Sequence, residues 1–214
     1  MRRNAHTALW IGASFAVAAL LAGSTLATLG TDGGAIVTAL RLTARWAFLP
    51  FWLAYTGGAL AKLFGGALAP LARRGRELGL AYAAAQLVHL ALVVWLFWIS
   101  PQPPVTGRLF LFFAIGILWT YLLAALSFGQ LRTVIGLGCW RLLMLAGMNY
   151  ILLAFARDFL SPLLHEGIGQ GGDIVRAASL LPFAALCVAA PILRLAAAAH
   201  GAADFKAGPA AGGS

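Results

Sequence analysis

The chain has 214 residues, of which 62% are hydrophobic and 10% are charged, and its mean hydropathy is +0.89. Soluble domains carry about 25% charged residues, so this composition excludes an ordinary soluble domain and predicts an integral membrane protein. The net charge of +9 comes from basic residues that lie between apolar stretches, which indicates membrane topology rather than a nucleic-acid partner. Cys139 and Cys187 lie far apart inside apolar segments, a spacing that does not fit a metal site.

Six apolar stretches are long enough to cross a bilayer as helices, which takes roughly 20 residues each. They do not alternate with a period of two, so helices are predicted rather than a barrel. The predicted spans cover residues 8–29, 37–60, 78–99, 109–126, 135–159 and 174–195. We therefore expect an all-α integral membrane protein with a single six-helix transmembrane bundle over residues 1–197 and a disordered cytoplasmic tail over residues 198–214.

The first stretch has two interpretations. Its basic start, apolar run and small-residue end also describe a signal peptide. The apolar run of about 20 residues is longer than a typical signal core, which favours a retained helix.

The distribution of lysine and arginine predicts the orientation of the chain. If the N-terminus is cytoplasmic, most of the basic residues fall on or near the cytoplasmic side, namely Arg2, Arg3, Lys62, Arg73, Arg74, Arg76, Arg132, Arg141, Arg194 and Lys206. The positive-inside rule then places both termini in the cytoplasm. The bias toward alanine, glycine, leucine and arginine is typical of a bacterium with a GC-rich genome, so we expect a multi-pass protein of the bacterial inner (plasma) membrane.

A histidine lies near the middle of the third predicted span. His89 follows Glu77 by 12 residues, which is about 18 Å along a helix axis. Helical spacing puts Tyr82, Gln86 and His89 on one face, and ionisable residues at such depth usually face the bundle interior. Three interpretations remain open for His89: an interhelical hydrogen bond, an axial ligand to a heme iron, and a proton-relay or quinone-site residue.

The sequence around His89 contains a recognisable pattern: a basic pair, a Leu-Gly-Leu triplet, an aromatic residue and the histidine, which here are Arg73, Arg74, Leu78, Gly79, Leu80, Tyr82 and His89. A second motif in the fifth span consists of Trp140, Arg141 and Leu143. Together these motifs resemble the third and fifth helices of the ferric reductase-like transmembrane family. That family includes ferric reductases, the membrane part of NADPH oxidases and the heme-binding membrane subunit of the bacterial methionine sulfoxide reductase system. The similarity covers about residues 38–160.

The resemblance implies a b-type heme, which the family holds between a histidine of the third helix and one of the fifth. The two fifth-helix histidines of the family fall on Met144 and Arg157 here. A heme iron bound by His89 would therefore need Met144 or Met148 as its other ligand, and Arg141 could pair with a propionate. Methionines that only fill gaps in the core are the alternative interpretation of the same pair.

Two functions follow as expectations. The resemblance implies a transmembrane electron-transfer subunit that passes electrons through heme b near His89, from a soluble reductase or a quinol donor to a periplasmic acceptor protein, with a quinone as a further cofactor. The alternative is a heme-free membrane scaffold or small transporter-like protein that uses the face of Tyr82, Gln86 and His89 for binding. The sequence contains no dinucleotide-binding glycine motif, no P-loop and no recognisable set of catalytic residues within the spans.

Overall fold

The computed structural model describes residues 2–128, 136–165 and 174–207, and the regular elements in these ranges are all helical. The helices are α1 (Arg2–Leu29), α2 (Gly33–Phe64), α3 (Ala69–Arg73), α4 (Gly75–Ile99), α5 (Gly107–Phe128), α6 (Leu137–His165) and α7 (Ile174–Ala207), with a 3₁₀ turn at Gly66–Leu68. All except the short α3 are long and apolar enough to cross a membrane. The prediction of six membrane-spanning helices is thereby confirmed in its helix count and class, whereas the side on which each terminus lies stays a prediction.

Local sequence signals set the ends of α2. Asp32 caps its start, because the Asp32 carboxylate accepts a hydrogen bond from the backbone N–H of Ala35 at 2.8 Å. The helix ends before Gly65, whose φ of 80° lies in the left-handed region that glycine adopts without strain. Its 32 residues are about 48 Å long, which exceeds the roughly 30 Å of a bilayer core, so α2 extends past the core or tilts within it.

The last helix is longer than the sequence predicted. The expected span ended at residue 195 and a disordered tail was expected from residue 198, but α7 continues to Ala207. The alanine-rich sequence after Leu195 favours helix, and the first strong breaking signal is the Gly208-Pro209 pair. Residues 208–214, which complete the expected tail, lie outside the described ranges.

Five of the spanning helices form a closed ring. In this ring α2 packs against α4 and α7, α4 against α5, α5 against α6, and α6 against α7. Helix α1 packs outside the ring against α2 and α4, where Ala18 and Ala22 are buried. The side chains of α2 and α6 meet across the middle of the ring. Any part of this central space that side chains do not fill becomes a cavity.

An aromatic cluster fills the middle of the ring. Its members are Phe48, Phe51, Tyr82, Phe155 and Phe159, all buried. The ring centroid of Phe48 lies 5.1 Å from that of Phe155 and 5.3 Å from that of Phe159, and Phe51 lies 5.2 Å from Tyr82. Contacts at these distances are typical of packed aromatic cores. The cluster therefore closes the centre of the bundle between its two ends.

The outer surface of the bundle carries large apolar side chains. Leu20, Trp98, Leu118 and Leu195 lie on four different helices, and each exposes at least 67% of its surface. Apolar exposure on this scale around a helical bundle is typical of contact with lipid.

One end of the bundle is rich in basic residues. At this end α2 finishes, α3 lies, and α4 and α6 begin, and we call it the basic end. Its basic side chains include Lys62, Arg73, Arg74, Arg76 and Arg141.

Candidate functional site

His89 forms a hydrogen bond to a neighbouring helix. Its Nδ1 lies 3.1 Å from the hydroxyl oxygen of Thr43 on α2. The Thr43 hydroxyl, which is completely buried, donates its single proton within its own helix and lies 2.9 Å from the carbonyl oxygen of Ala39. Thr43 therefore accepts from His89, which assigns the neutral ring as the tautomer with its proton on Nδ1. The backbone of Leu40, also on α2, is a second hydrogen-bond partner of the ring.

Tyr82 bonds to a different helix from His89. Its hydroxyl lies 2.9 Å from the hydroxyl oxygen of Thr120 on α5. Thr120 donates to the carbonyl oxygen of Gly116 at 2.9 Å, so Tyr82 is the donor in the pair. The Tyr82 ring also belongs to the aromatic cluster. Tyr82 and His89 thus join α4 to the helices on either side of it.

Gln86 lies between these two residues on α4. Its side-chain oxygen Oε1 is buried and has no hydrogen-bond partner among the described residues. The structure therefore places the predicted face of Tyr82, Gln86 and His89 in helix–helix contacts, with one polar atom unsatisfied.

The remaining predicted site residues lie in a cavity at the basic end. Arg141, Met144 and Met148, spaced three and four residues apart on α6, all face this cavity of about 610 Å³. We call it the basic cavity, and its walls come from α2, α6 and α7: Ala54, Tyr55, Gly58, Ala59, Lys62, Trp140, Arg141, Met144, Leu145, Met148, Arg194, Ala197 and Ala198.

The basic cavity exists because small residues replace large ones on two of its walls. On α2, Gly58 and Ala59 follow the aromatic residues that fill the middle of the ring. On α7, Ala197 and Ala198 follow Arg194. Farther from the basic end, α2 and α7 are in contact, because the indole N–H of Trp52 donates to the carbonyl oxygen of Leu186 at 2.9 Å. Where the side chains become small, the helices leave a space that a ligand can fill.

Three cations from three helices line the basic cavity. They are Lys62 near the end of α2, Arg141 near the start of α6 and Arg194 on α7. The lining contains no aspartate or glutamate, and within the described part of the chain no carboxylate forms an ion pair with any of the three. An anion that enters the cavity would therefore meet three cations and no lining carboxylate.

The position of Arg194 is fixed by contacts with α2 and α6. Its guanidinium lies 4.5 Å from the ring centroid of Tyr55. The Tyr55 hydroxyl donates to Oδ1 of Asn149 at 2.7 Å, and the Asn149 amide donates to the carbonyl oxygen of Leu145 at 2.7 Å. Cation–π contact and this hydrogen-bond chain hold the guanidinium at the inner wall of the cavity.

The position of Lys62 depends on a glycine of the facing helix. A Cβ atom at Gly201 would overlap the ammonium nitrogen of Lys62. The missing side chain therefore lets Lys62 reach from α2 to the backbone of α7. In this way α2 and α7 together present Lys62 and Arg194 to the same space.

The structure does not bring His89 together with Met144 or Met148. Thr43 is the partner of His89, and Tyr55 lines the cavity together with the methionines. Thr43 precedes Tyr55 by 12 residues of α2, which is about 18 Å along the helix axis. The aromatic cluster lies in between. One heme iron cannot be ligated by His89 and by either methionine in this arrangement, so the residues present do not fit the expected heme site. Within the described residues, no three histidine, cysteine, aspartate or glutamate side chains are grouped so as to hold a metal ion.

Sequence reasoning missed Thr43, Tyr55, Lys62 and Arg194 as site residues. Lys62 and Arg194 entered the sequence analysis only as topology signals. Lys62 and Arg194 share one feature, which is that each lies on an apolar helix near the basic end.

Comparison of the chain with protein-family models, with curated proteins and with solved structures finds no match. The resemblance to ferric reductase-like proteins therefore stays a prediction from the motifs.

Proposed function

We propose that this protein binds an amphipathic organic anion within the membrane, in the basic cavity. The observation that carries the proposal is the set of three cations, Lys62, Arg141 and Arg194, which lines a cavity of about 610 Å³ without any lining carboxylate. Cavities of this size hold a drug-sized ligand or a lipid-like chain of similar size. Charge attraction at the surface of a low-dielectric bundle is stronger than in water, so the cations select an acidic head group.

The other lining residues suit an apolar body. Met144 and Met148 have flexible, polarisable side chains that adapt to chains of varied shape, and Trp140 and Leu145 add apolar surface. The lining thus combines three cations with apolar side chains. A ligand with a charged head and an apolar chain matches this combination. Binding of this kind is the first step of a small carrier. The transporter-like alternative predicted from the sequence used the face of Tyr82, Gln86 and His89 instead.

The test compares two ligands of equal chain length on purified protein in nanodiscs of zwitterionic lipid. We expect dodecanoate to bind and dodecanol to bind at least about tenfold more weakly, since the loss of one charge-assisted interaction costs roughly 1.4 kcal/mol or more. Equal binding of the acid and the alcohol would contradict the proposal. A neutral quinone that binds better than the acid would point to a quinone site instead.

Variants of the lining cations provide the second arm of this test. We expect Arg194→Gln to weaken dodecanoate binding by about tenfold, because the guanidinium faces the cavity. Arg73→Gln is the matched control, since Arg73 is an exposed cation at the basic end that does not line the cavity. An equal loss in both variants would mean that general surface charge, rather than the cavity, attracts the anion.

A second candidate function is electron transfer through a b-type heme with His89 as one ligand. The observation that favours it is that His89 lies inside the helical bundle, where its hydrogen bond to Thr43 orients the ring. Met144 and Met148 are too far along the bundle to supply the opposite ligand. The measurement is an absorption spectrum of purified protein, expressed with ample heme, before and after dithionite. A spectrum without a Soret band would exclude this function, and a band that survives His89→Ala would exclude His89 as the ligand.

A further inference from the structure

The geometry points to a single-chain phosphate monoester, a lipid-like phosphate with one apolar chain, as the ligand of the basic cavity. This inference rests on the proposed function and names the chemical class of the anion. It is argued from the number and type of the cations, from the space around them and from the apolar surface of the cavity.

The number and type of the cations favour phosphate over carboxylate. A carboxylate carries one negative charge and two oxygens, whereas a phosphate monoester carries up to two charges and three free oxygens. Arg141 and Arg194 offer two guanidinium groups whose planar forks match phosphate oxygens, and Lys62 offers a point charge. The three cations come from three different helices, so they reach the cavity from different sides. A carboxylate would balance one of the three positive charges, whereas a phosphate dianion would balance two.

The contacts that position Arg194 and Lys62 also favour a phosphate ligand. The Arg194 guanidinium is held over the Tyr55 ring by a cation–π contact, which uses the face of the guanidinium and leaves its N–H edge free for oxygens. Lys62 reaches across to α7 because Gly201 has no side chain. Both groups are thus positioned before a ligand arrives, which lowers the entropic cost of binding.

The space and the lining favour one apolar chain. A cavity of about 610 Å³ lies within the usual range for a single drug-sized ligand, and Tyr55, which lines it, packs against Phe51 of the aromatic cluster. Met144, Leu145 and Met148 follow one another along one face of α6, so they form a continuous apolar wall next to Arg141.

The experiment uses two dodecyl phosphates that differ by one methyl group. Monododecyl phosphate changes from one charge at pH 5 to nearly two at pH 8, since its second pKa lies near 6. Dodecyl methyl phosphate keeps one charge throughout. Binding of both compounds to the full chain in zwitterionic nanodiscs is measured at the two pH values. We expect the affinity of the monoester to rise about tenfold or more from pH 5 to pH 8, and that of the methyl ester to stay level or fall.

The methyl ester also controls for the protein's own titration. His200 is the histidine nearest the cavity lining in the sequence, and it follows Ala198 on α7 by two residues. A change in the protein's own charge between the two pH values would alter the binding of both compounds alike. Lys62, Arg141 and Arg194 are the cations of the cavity lining. Replacing either arginine by a neutral residue should remove most of the gain in monoester affinity with rising pH. In Arg194→Gln and Arg141→Gln, we expect the monoester to bind about threefold more tightly than the methyl ester, or less.

The outcomes separate this inference from the proposed function. If both esters bind equally at pH 8 and dodecanol does not, the phosphate inference is overturned and anion binding stands. If dodecanol binds as well as either ester, both are overturned. Glycerol phosphate, which has the head group without the chain, should bind at least about a hundredfold more weakly than the monoester, because burial of each CH₂ contributes about 0.8 kcal/mol. Equal binding of glycerol phosphate would overturn the lipid-like ligand in favour of a soluble phosphate ester.

Discussion

The hydrogen bond between His89 and Thr43 explains how a histidine is accommodated inside a long apolar helix. The neutral ring donates through Nδ1, and a threonine that is already bonded to its own helix accepts. This arrangement satisfies the donor without a charge, and it joins α4 to α2. Interhelical hydrogen bonds of this kind contribute about 0.6 kcal/mol on average in membrane proteins and at most about 1.7.

A double-mutant cycle at this pair gives a residue-scale prediction. We expect Thr43→Val to lower the free energy of unfolding by about 0.5–2 kcal/mol, because the His89 donor loses its buried acceptor. In the His89→Leu background the same change should cost less, since no donor remains. The measurement is unfolding of the detergent-solubilised protein by titration with a denaturing detergent. Additive effects of the two changes would show that the pair is not coupled.

Gln86 shows what residue types alone could not reveal. Its spacing from Tyr82 and His89 correctly indicates a common face of α4. The structure uses that face for contacts to α2 and α5, and leaves Gln86 Oε1 without a described partner. A polar face on a helix predicts burial, but it does not predict which neighbour supplies the partner.

Close helix packing at Gly147 is the main feature of the contact between α5 and α6. A Cβ atom at this position would lie 2.7 Å from the Trp119 ring and 2.8 Å from a methyl group of Leu123. Real Cβ atoms do not approach other carbons so closely, so either the side chains or the helices would have to move. Small residues allow this approach, as they generally do in membrane helix pairs.

Gly147→Ala is therefore predicted to be destabilising. We expect the free energy of unfolding to fall by about 1–3 kcal/mol, which is the usual cost of overpacking. Gly79→Ala is the matched control, because nothing lies within 4 Å of a Cβ atom at Gly79 on α4. That variant should be neutral or slightly more stable, since alanine has the higher helix propensity. A stable Gly147→Ala protein would show that α5 and α6 separate easily.

The contact between α2 and α7 at Gly201 yields a prediction about binding rather than stability. The atom that a Cβ at Gly201 would meet is the end of the flexible Lys62 side chain, which can move away. We expect Gly201→Ala to keep the unfolding free energy within about 0.5 kcal/mol of its original value. Monododecyl phosphate binding should weaken about as much as in Lys62→Gln, because both changes take the ammonium away from its position. Unchanged affinity in Gly201→Ala, with a loss in Lys62→Gln, would mean that the ammonium does not need α7.

At the scale of the whole molecule, the ring of five helices determines where a ligand can bind. Aromatic side chains fill the middle of the ring, whereas alanine and glycine leave space at the basic end. The basic cavity therefore lies at one end of the bundle. On the orientation that the positive-inside rule predicts, that end faces the cytoplasm, and an anion would enter from there or from the adjoining leaflet.

The native cysteines test this orientation. Cys139 is exposed near the start of α6 at the basic end, and Cys187 is buried in α7. We expect a membrane-impermeant maleimide to label Cys139 in inside-out vesicles and not in right-side-out vesicles. Cys139→Ser should abolish the labelling, because Cys187 stays inaccessible. Labelling from the periplasmic side alone would reverse the predicted topology and move the cavity mouth to that side.

The number of spanning helices could be predicted from the sequence because the signal is local. Each span is a stretch of apolar residues that must satisfy its backbone hydrogen bonds internally, and that requirement does not depend on the neighbours. The end of α7 was placed too early because hydropathy falls at the alanine-rich segment, while helix propensity there stays high.

The sequence by itself determined that six apolar helices exist and that basic residues gather toward one end of several of them. Only the tertiary structure decided that Lys62, Arg141 and Arg194, which come from the second, fifth and sixth spans, line one cavity. It also decided that His89 and the methionines lie apart. Hydropathy and helical periodicity are properties of single segments, whereas a shared cavity depends on which helices pack together and where small residues leave space between them.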